Sequence, residues 1–371
     1  LFIQRGKHET TWTVLRNFGY DNALNLCTEY LYPRLNVPQG CSAELNSNGI
    51  MFLTALFQKY DEDKDGCLSP VEVHNLFSVC PLLTWPAETY RMVETNEKGW
   101  ITYQGFLSCW MLTTLLDYNQ MFEYLAYFGY NDAVHNQTSA VTVTRDKRTD
   151  WQKKFTERNV FRCQVIGSKD AGKTSLLQGF IGNDVQRMTA VEKAALPRFT
   201  ANSLNVCGQE KYLVMHEIDV LAPEETLCTY ELQCDVVCLV YDVSNPHSFE
   251  YFATIYKARS GFNFSVSLAK NYFHRTRIPC LVVGTKCDCR EVLQQFECQP
   301  YEFCKKNHLP PPVKYSATMT RSSNVFVKIA TLANYPHIKH IYYLHDSSTW
   351  LKFSVAAAAA AFAGFIILRH I

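Results

Sequence analysis

The sequence predicts a multidomain protein in which an all-α unit is followed by an α/β domain with a parallel sheet and by a C-terminal transmembrane helix. Three observations predict this order. An acidic segment at 61–72 lies between helix-like runs, and a phosphate-binding pattern at 167–174 lies between a strand-like run and a helix-like run. An uncharged stretch at 353–368 lies close to the C-terminus.

The composition is that of a folded, multidomain chain. With 371 residues, 47% of them apolar and 19% charged, the chain can bury sizeable cores. A net charge of +1 gives no electrostatic reason to expect nucleic acid as a partner. The 15 cysteines form no Cys-x-x-Cys pair and lie mostly in apolar runs, so we expect free thiols in a reducing compartment.

The helical part begins with an internal repeat, because residues 9–21 resemble residues 119–131 without a gap. In both copies an aromatic residue, a leucine and a phenylalanine recur at three-residue spacing before Gly-Tyr, which predicts a helix with a glycine C-cap. Chance convergence of two helix ends is the alternative. We assign 1–35 to the end of a preceding EF-hand unit and 36–131 to a full unit.

The acidic segment at 61–72 matches the calcium-binding EF-hand loop at its diagnostic positions, with Gly66 at the sharp turn. Calcium takes six to eight oxygen ligands, about 2.3–2.6 Å from the ion. The predicted ligands are Asp61, Asp63, Asp65, the carbonyl of Cys67, Ser69 (through water) and a bidentate Glu72. A solvated acidic turn is the alternative interpretation.

A second, degenerate loop is centred on Gly99, and we expect it to support the first loop without binding calcium. Its ligand positions hold Glu94, Asn96, Lys98 and, at the last one, Gly105. A lysine among the ligands and no carboxylate at the end do not suit calcium. We expect Ile101 to pair with Leu68 between the loops, whereas an ordinary hairpin over 95–105 is equally consistent with the sequence.

Periodicity lapses over 132–158 and basic residues accumulate, which we interpret as a solvated linker. Over 159–337 buried strands alternate with helices, which predicts a doubly wound α/β domain. The expected strands are 161–166, 212–218, 236–241, 280–284 and 313–315, and the expected helices are 175–181, 249–257, 301–307 and 325–334.

The pattern GxxxxGK[ST] at 167–174 predicts a phosphate-binding P-loop. Backbone N–H groups would surround the phosphates, Lys173 would add a charge and Thr174 a hydroxyl ligand for Mg²⁺. The nucleotide-binding residues predicted here are Gly167, Lys169, Asp170, Ala171, Gly172, Lys173, Thr174 and Ser175, of which Lys173 and Thr174 are also the predicted catalytic residues.

Two further segments indicate guanine as the base. Thr285-Lys286-Cys287-Asp288 resembles the [NT]KxD motif of small GTPases, in which the Asp accepts two hydrogen bonds from guanine and the Lys stem covers the base. Ser316-Ala317-Thr318 resembles the SAK-type loop of the same proteins. Both follow predicted strands, where open α/β sheets bind ligands. We therefore predict GTP or GDP, with an ATP-using P-loop protein as an alternative.

The hydrolytic machinery departs from the small-GTPase pattern. The strand at 212–218 should end in DxxG, yet neither Glu217 nor Asp219 has a glycine three places on, and no glutamine is evident to position water. We interpret Gly208 as a turn between strands. Thr189 and Thr200 are equal candidates for a switch threonine. The sequence predicts GTP binding with slow hydrolysis, and a non-catalytic nucleotide-binding scaffold is the alternative.

The C-terminal stretch predicts a tail anchor over 350–369, after a linker at 338–349. Its uncharged part would span roughly 24 Å as a helix, short of a ~30 Å hydrocarbon core, but Trp350 and the basic flanks extend it. We expect the bulk of the chain to face the cytosol. A buried core helix is the alternative.

An EF-hand unit, a Ras-like domain and a tail anchor in this order resemble the mitochondrial Rho GTPases, the Miro family. The resemblance implies the mitochondrial outer membrane, adaptor proteins that connect mitochondria to kinesin and dynein, and calcium-modulated transport. It also implies an upstream GTPase domain and a first EF-hand unit. The polar and aromatic stretch at 260–274 departs from the pattern as an insertion.

Overall fold

The computed structural model describes residues 8–81, 85–130, 136–218, 234–257, 278–318 and 323–335. The chain divides into two compact units. The first comprises Leu1–Lys153, Glu157–Val160 and Ala194–Asn202, and the second comprises Lys154–Thr156, Phe161–Lys193 and Ser203–Ile371.

The first unit is mainly helical. Its helices are α1 (His8–Asn17), α2 (Thr28–Leu31), α3 (Ser47–Tyr60), α4 (Pro70–Phe77), α5 (Tyr103–Leu116), α6 (Tyr118–Tyr127) and α7 (Lys147–Lys153). Two short antiparallel pairs join β1 (Ala43–Leu45) to β4 (Val141–Val143) and β2 (Cys67–Leu68) to β3 (Ile101–Thr102). Single 3₁₀ turns lie at Ala87–Arg91 and Gln137–Ala140.

Polar caps decide where the main helices begin. The side chain of Asn46 accepts from two N–H groups at the start of α3, and Ser69 forms a capping box with Glu72 at α4. Thr102 caps α5 and Asp117 caps α6 in the same way. Each cap satisfies N–H groups that the first helical turn leaves without partners.

The helix ends predicted for the two copies of the repeat are both present. Gly19 after α1 has φ 76° and Gly129 after α6 has φ 78°, so both adopt the left-handed conformation that glycine tolerates best. The backbone N–H of Tyr20 donates to the Leu15 carbonyl at 3.0 Å, and that of Tyr130 donates to the Leu125 carbonyl at 2.9 Å. This is the Schellman C-cap that the Gly-Tyr pairs predict.

An aromatic cluster fills the core of the first unit around the fully buried Trp110 of α5. The ring centroids of Trp85 and Tyr124 each lie 5.1 Å from the Trp110 ring, and Phe128 lies 5.8 Å away at 86°. Such offset and edge-to-face pairs each contribute about 0.5–1.5 kcal/mol beyond their buried area. The cluster therefore fastens α6 to α5.

The interval that we interpreted as a linker is folded where the structure describes it. Strand β4 pairs with β1, and α7 follows. Asp150 in α7 is buried 3.1 Å from Arg145 and 3.7 Å from Arg158, whose guanidinium donates to the Gly40 carbonyl at 2.9 Å. These three charges pair with one another, so this part of the interval is packed rather than solvated.

The chain from Val160 to Asn334 forms a six-stranded sheet with helices, in the order β10-β9-β8-β5-β7-β6. The strands are β5 (Val160–Gly167), β6 (Phe199–Val206), β7 (Gln209–Ile218), β8 (Val236–Asp242), β9 (Cys280–Thr285) and β10 (Val313–Lys314). The helices are α8 (Lys173–Phe180), α9 (Ala190–Ala194), α10 (Ser248–Lys257), α11 (Pro300–Lys306) and α12 (Ser323–Asn334). The pairs β5–β8, β8–β9 and β9–β10 are parallel.

Helices cover both faces of the parallel strands, which confirms the doubly wound α/β prediction. Every residue of β8 is buried, as expected for a strand covered on both sides. Its alternate residues pack with Leu176 of α8 and Ile329 of α12 on one face. On the other face they pack with Phe249 of α10 and Phe303 of α11.

All the predicted strands and helices of this domain are present, and Gly208 makes the predicted turn, with φ 82°. Strand β6 was not predicted, because Thr-Ala-Asn-Ser-Leu-Asn offers neither a continuous apolar run nor a clear alternation. The described cysteines are free thiols, as expected.

No helix among the described residues is long and apolar enough to cross a membrane. The predicted anchor at 350–369, its linker at 338–349 and the insertion at 260–274 lie outside the residues that the structure describes.

Gly179 in α8 provides a test of the packing behind the P-loop. A Cβ at Gly179 would lie 2.0 Å from the hydroxyl of buried Tyr315, which donates to the Ser175 carbonyl at 3.2 Å. We expect Gly179→Ala to lower the free energy of unfolding by about 1–3 kcal/mol, although alanine favours helices by about 1 kcal/mol. Denaturant melts measure this change. In the Tyr315→Phe background the substitution should be neutral or stabilising, and an equal loss in both backgrounds would contradict the packing.

Candidate nucleotide and calcium sites

The P-loop connects the end of β5 to the start of α8, as the sequence predicts. A Cβ at Gly167 would lie 2.5 Å from the Val240 carbonyl oxygen in the neighbouring strand, so the chain passes this point only as glycine. Gly172 has φ 85° and Asp170 has φ 61°, which turns the loop back onto the helix N-terminus. Lys169 and Asp170 are both exposed on this loop.

Lys173 is held against the loop backbone. Its ammonium donates to the carbonyls of Gly167 at 3.1 Å and Ser168 at 2.9 Å, and it lies 3.6 Å from a Glu217 carboxylate oxygen. The side chain is almost fully buried. A fixed positive charge beside the N–H groups of a helix N-terminus is suited to phosphate binding.

Thr174 donates its hydroxyl to the Glu217 carboxylate at 2.8 Å. Glu217 lies near the C-terminal end of β7, which neighbours β5 in the sheet. A hydroxyl and a carboxylate at this separation match the hard oxygen ligands that Mg²⁺ prefers, so these residues fit the metal that accompanies a nucleotide.

Glu217 was not predicted as a site residue, because no glycine lies three residues after it. The available signal was its position at the end of a strand beside the P-loop strand. The two switch candidates have other roles in the structure. Thr200 is fully buried in β6, and Thr189 precedes α9 and donates its hydroxyl to Glu192 at 2.8 Å.

Thr285 joins the predicted base-binding segment to the P-loop. It ends β9, and its single hydroxyl proton is shared between the Ala171 carbonyl at 2.6 Å and the Tyr241 carbonyl at 3.0 Å, with the shorter contact to Ala171. The next residue, Lys286, has φ 56° and directs its ammonium to the Asp242 carboxylate. Phosphate and base segments therefore meet at the carboxyl ends of the parallel strands.

Asp288 is the predicted acceptor for guanine, and it is held by the second base segment. The Ser316 hydroxyl donates to its carboxylate, and this hydrogen bond is the main reason that the pKa of Asp288 lies below its usual value. Ser316 also accepts from the Thr318 N–H at 3.3 Å. Ala317 and Thr318 are exposed. An ionised carboxylate with free acceptor capacity suits the adjacent N–H donors of guanine.

Cys287 also connects the segment 285–288 to the segment 315–318. Its backbone N–H donates to the Tyr315 carbonyl at 3.3 Å, and its thiol contacts that oxygen at 3.0 Å. Burial is the main cause that raises the pKa of the Cys287 thiol. The residue therefore contributes a neutral contact to the loop framework.

The predicted calcium loop at 61–72 brings its carboxylates together. One carboxylate oxygen each from Asp61, Asp63 and Asp65 lies within 4.8 Å of the others. Gly66 has φ 80°, and its N–H donates to Asp61 at 3.2 Å. The other oxygen of Asp61 is buried without a hydrogen-bond partner. A buried acceptor facing other carboxylates fits a cation with oxygen ligands, so this set suits Ca²⁺.

Glu72 closes the loop from α4. Its carboxylate accepts from the Glu62 N–H at 2.9 Å and the Ser69 N–H at 2.8 Å. Burial alone would raise the pKa of Glu72, but hydrogen bonds from Ser69, Glu62 and Asp63 outweigh it and lower the pKa. The carboxylate is thus ionised at neutral pH and positioned at the last ligand place of the loop.

The second loop pairs with the first as expected, with Leu68 opposite Ile101. A Cβ at Gly105 would lie 2.1 Å from the Glu94 carbonyl oxygen, so no side chain fits at the last ligand position. The side-chain oxygen of Asn96 accepts hydrogen bonds from the N–H groups of Lys98 and Trp100. This closed conformation supports the expectation of a loop without calcium.

Comparisons with known proteins agree with this arrangement. Family models described as "EF hand associated" match residues 1–49 and 85–155, on either side of the calcium loop. Mitochondrial Rho GTPase 1 of Caenorhabditis briggsae is 43% identical and that of Caenorhabditis elegans 42% identical, each over 379 aligned positions that cover 100% of this chain. The chain is a homologue of the mitochondrial Rho GTPases. It spans 57% and 58% of the length of these two relatives.

The mitochondrial Rho GTPase relationship fits both halves of the structure. The helical repeat and the paired loops account for the EF-hand-associated models, and the sheet with its P-loop accounts for the GTPase part of the name. In this homologue Glu217 occupies the strand end at which we expected the aspartate of DxxG.

Glu217 should control the Mg²⁺ dependence of nucleotide binding. Glu217→Gln keeps the shape but removes the charge beside Thr174, so we expect the Mg²⁺ concentration that half-maximally slows GDP release to rise by about 10–100-fold. Stopped-flow release of a fluorescent GDP measures this. Glu210→Gln, at the exposed start of β7, is the matched control. An unchanged Mg²⁺ midpoint for Glu217→Gln would contradict the assignment.

The loop geometry predicts one calcium site in this chain. Glu72→Gln keeps the size of the side chain but removes its charge and one of its two acceptor oxygens, and we expect calcium affinity to fall by about 100-fold or more. Titration calorimetry on the full chain measures both stoichiometry and affinity. Glu94→Gln in the second loop should leave both unchanged, and a second site in the unmodified protein would show that the second loop does bind calcium.

Proposed function

We propose that this chain binds guanine nucleotides and hydrolyses GTP slowly, with Lys173 and Thr174 acting on the phosphates and Asp288 on the base. The observation that carries the proposal is the pair of contacts that joins three predicted segments. The Thr285 hydroxyl bonds to the P-loop carbonyl of Ala171, and the Ser316 hydroxyl bonds to Asp288. These contacts support the proposal that the three segments form one site.

The chemistry assigned to this chain is binding and positioning of a triphosphate. Lys173 would neutralise phosphate charge, while the loop N–H groups orient the phosphate oxygens. Bound Mg²⁺ would supply further charge neutralisation at the β- and γ-phosphates, held by Thr174 with Glu217 alongside. The segment after β7, where a water-positioning residue belongs, lies outside the described residues, so slow hydrolysis rests on the sequence alone.

The alternative is a scaffold whose nucleotide has only a structural role. The irregular sequence after Glu217 favours it, because phosphoryl transfer needs an aligned water. An ATP-using protein is the weaker alternative, because the acceptor face of Asp288 does not match the exocyclic amine and ring nitrogens of adenine. The scaffold predicts that GTP is bound without turnover, whereas the ATP-using protein predicts that ATP competes with GTP.

Nucleotide binding and single-turnover hydrolysis separate these functions. We expect Asp288→Asn to weaken GDP binding by about 100-fold, because a charged acceptor of two hydrogen bonds is lost, and Lys173→Ala to abolish measurable GTP hydrolysis. Asp184→Asn, at an exposed 3₁₀ turn, is the matched carboxylate control. A hydrolysis rate unchanged by Lys173→Ala would count against the enzyme, and competition by ATP would favour the ATP-using protein.

We further propose that the chain binds calcium through the loop at 61–72 and acts at the mitochondrial outer membrane, with the tail at 350–369 as its anchor and the bulk of the chain in the cytosol. The mitochondrial relatives and the uncharged tail support this location. The resemblance implies that the chain tethers mitochondria to kinesin and dynein, which it would contact through motor-adaptor proteins. Imaging of the tagged chain tests the anchor, since deletion of 350–369 should release it from mitochondria.

A further inference from the structure

A buried carboxylate outside the recognised motifs contacts the lysine of the base segment. Asp242, at the end of β8, lies with its carboxylate 2.6 Å from the Lys286 ammonium. The two partners differ in exposure, because the side chain of Asp242 is 7% exposed and that of Lys286 is 41% exposed. The buried partner is therefore the fixed end of this ion pair, and the lysine is the end that reaches towards solvent.

Asp242 is fixed by neighbours on its own chain segment. The other carboxylate oxygen accepts from the Ser244 N–H at 2.8 Å and from the Ser244 hydroxyl at 2.6 Å. Burial alone would raise the pKa of Asp242, but hydrogen bonds from Lys286 and Ser244 and the lysine charge lower it. The carboxylate is thus ionised, fully hydrogen-bonded and held in one position.

Hydrogen bonds continue from Asp242 to the P-loop. The Asp242 N–H donates to the Ser248 hydroxyl oxygen at 2.9 Å, and the Ser248 hydroxyl lies 2.9 Å from that of Ser168. Ser168 is the residue after Gly167 in the phosphate loop. One continuous polar chain therefore runs from the phosphate loop through Ser248 and Asp242 to Lys286.

The ion pair with Asp242 also orders the methylene groups of the Lys286 side chain. A partly exposed lysine has many rotamers, and ordering such a side chain on binding costs conformational entropy. Fixing the ammonium at Asp242 defines both ends of the stem, since the backbone of Lys286 is itself fixed at φ 56°. The methylene groups of the stem are then pre-organised as an apolar surface, which suits the flat face of a purine.

We propose that Asp242 is a positioning residue for base binding, which acts by holding Lys286 in place against the base plane. The proposal rests on the guanine-binding function proposed above, and it adds a residue that none of the nucleotide motifs contains. Asp288 would select guanine by its edge, whereas Asp242 would act through Lys286 on the purine face. Loss of Asp242 should therefore weaken every purine nucleotide by a similar factor.

A double-mutant cycle on the full chain tests this role. We expect Asp242→Asn to weaken GDP and IDP binding by about tenfold each, which corresponds to loss of one charge-assisted hydrogen bond. In the Lys286→Met background, Asp242→Asn should change GDP affinity by less than about twofold, because the group it positions is already removed. Binding of inorganic tripolyphosphate, which has no base, should be the same in all four proteins.

Two further variants complete the design. Glu291→Gln breaks an exposed ion pair to Lys314 of the same 2.6 Å length, and it should leave GDP affinity unchanged. Ser244→Ala removes one donor to Asp242 and should give a smaller loss of GDP affinity, which keeps the test open if Asp242→Asn fails to fold.

The results distinguish a failure of the guanine site from a failure of the positioning role of Asp242. Failure of the unmodified protein to bind GDP overturns the guanine site itself. Normal GDP binding with additive effects of Asp242→Asn and Lys286→Met, or an equal loss of tripolyphosphate binding, overturns the positioning role alone.

Discussion

The proposed nucleotide site depends on the hydrogen bond between the Thr285 hydroxyl and the Ala171 carbonyl. The P-loop follows β5 and the base segment follows β9, and β8 lies between these two strands. Thr285 crosses that gap, since its hydroxyl also contacts the Tyr241 carbonyl of β8. A Cβ at Gly172 would lie only 3.2 Å from that hydroxyl, so the glycine of the P-loop and the threonine of the base segment depend on each other.

The sequence was informative wherever function requires a fixed local pattern. The P-loop, the 61–72 loop and the helix ends at Gly19 and Gly129 need particular backbone conformations, and few residues other than glycine adopt these conformations at low cost. The buried parallel strands were equally clear, because both faces of such strands require apolar residues. These features are set by nearby residues in the chain, so a single sequence contains enough information to place them.

The features that the sequence did not reveal depend on contacts between distant segments. Glu217 reaches Thr174 only because β7 and β5 are neighbours in the sheet. The interval at 132–158 was predicted to be a solvated linker. In its described part, however, Asp150 pairs with Arg158. The closure of the second loop at Gly105 likewise follows from the approach of the Glu94 carbonyl, whereas the sequence showed only a missing carboxylate.

We propose that three separate segments form one guanine site. The decisive experiment is equilibrium competition on the unmodified full chain, with fluorescent GDP as the bound probe and unlabelled GDP and ADP as competitors. We expect GDP to displace the probe at a concentration at least about 100-fold lower than ADP, because only guanine offers two donors to a charged acceptor. Equal displacement by ADP would contradict it.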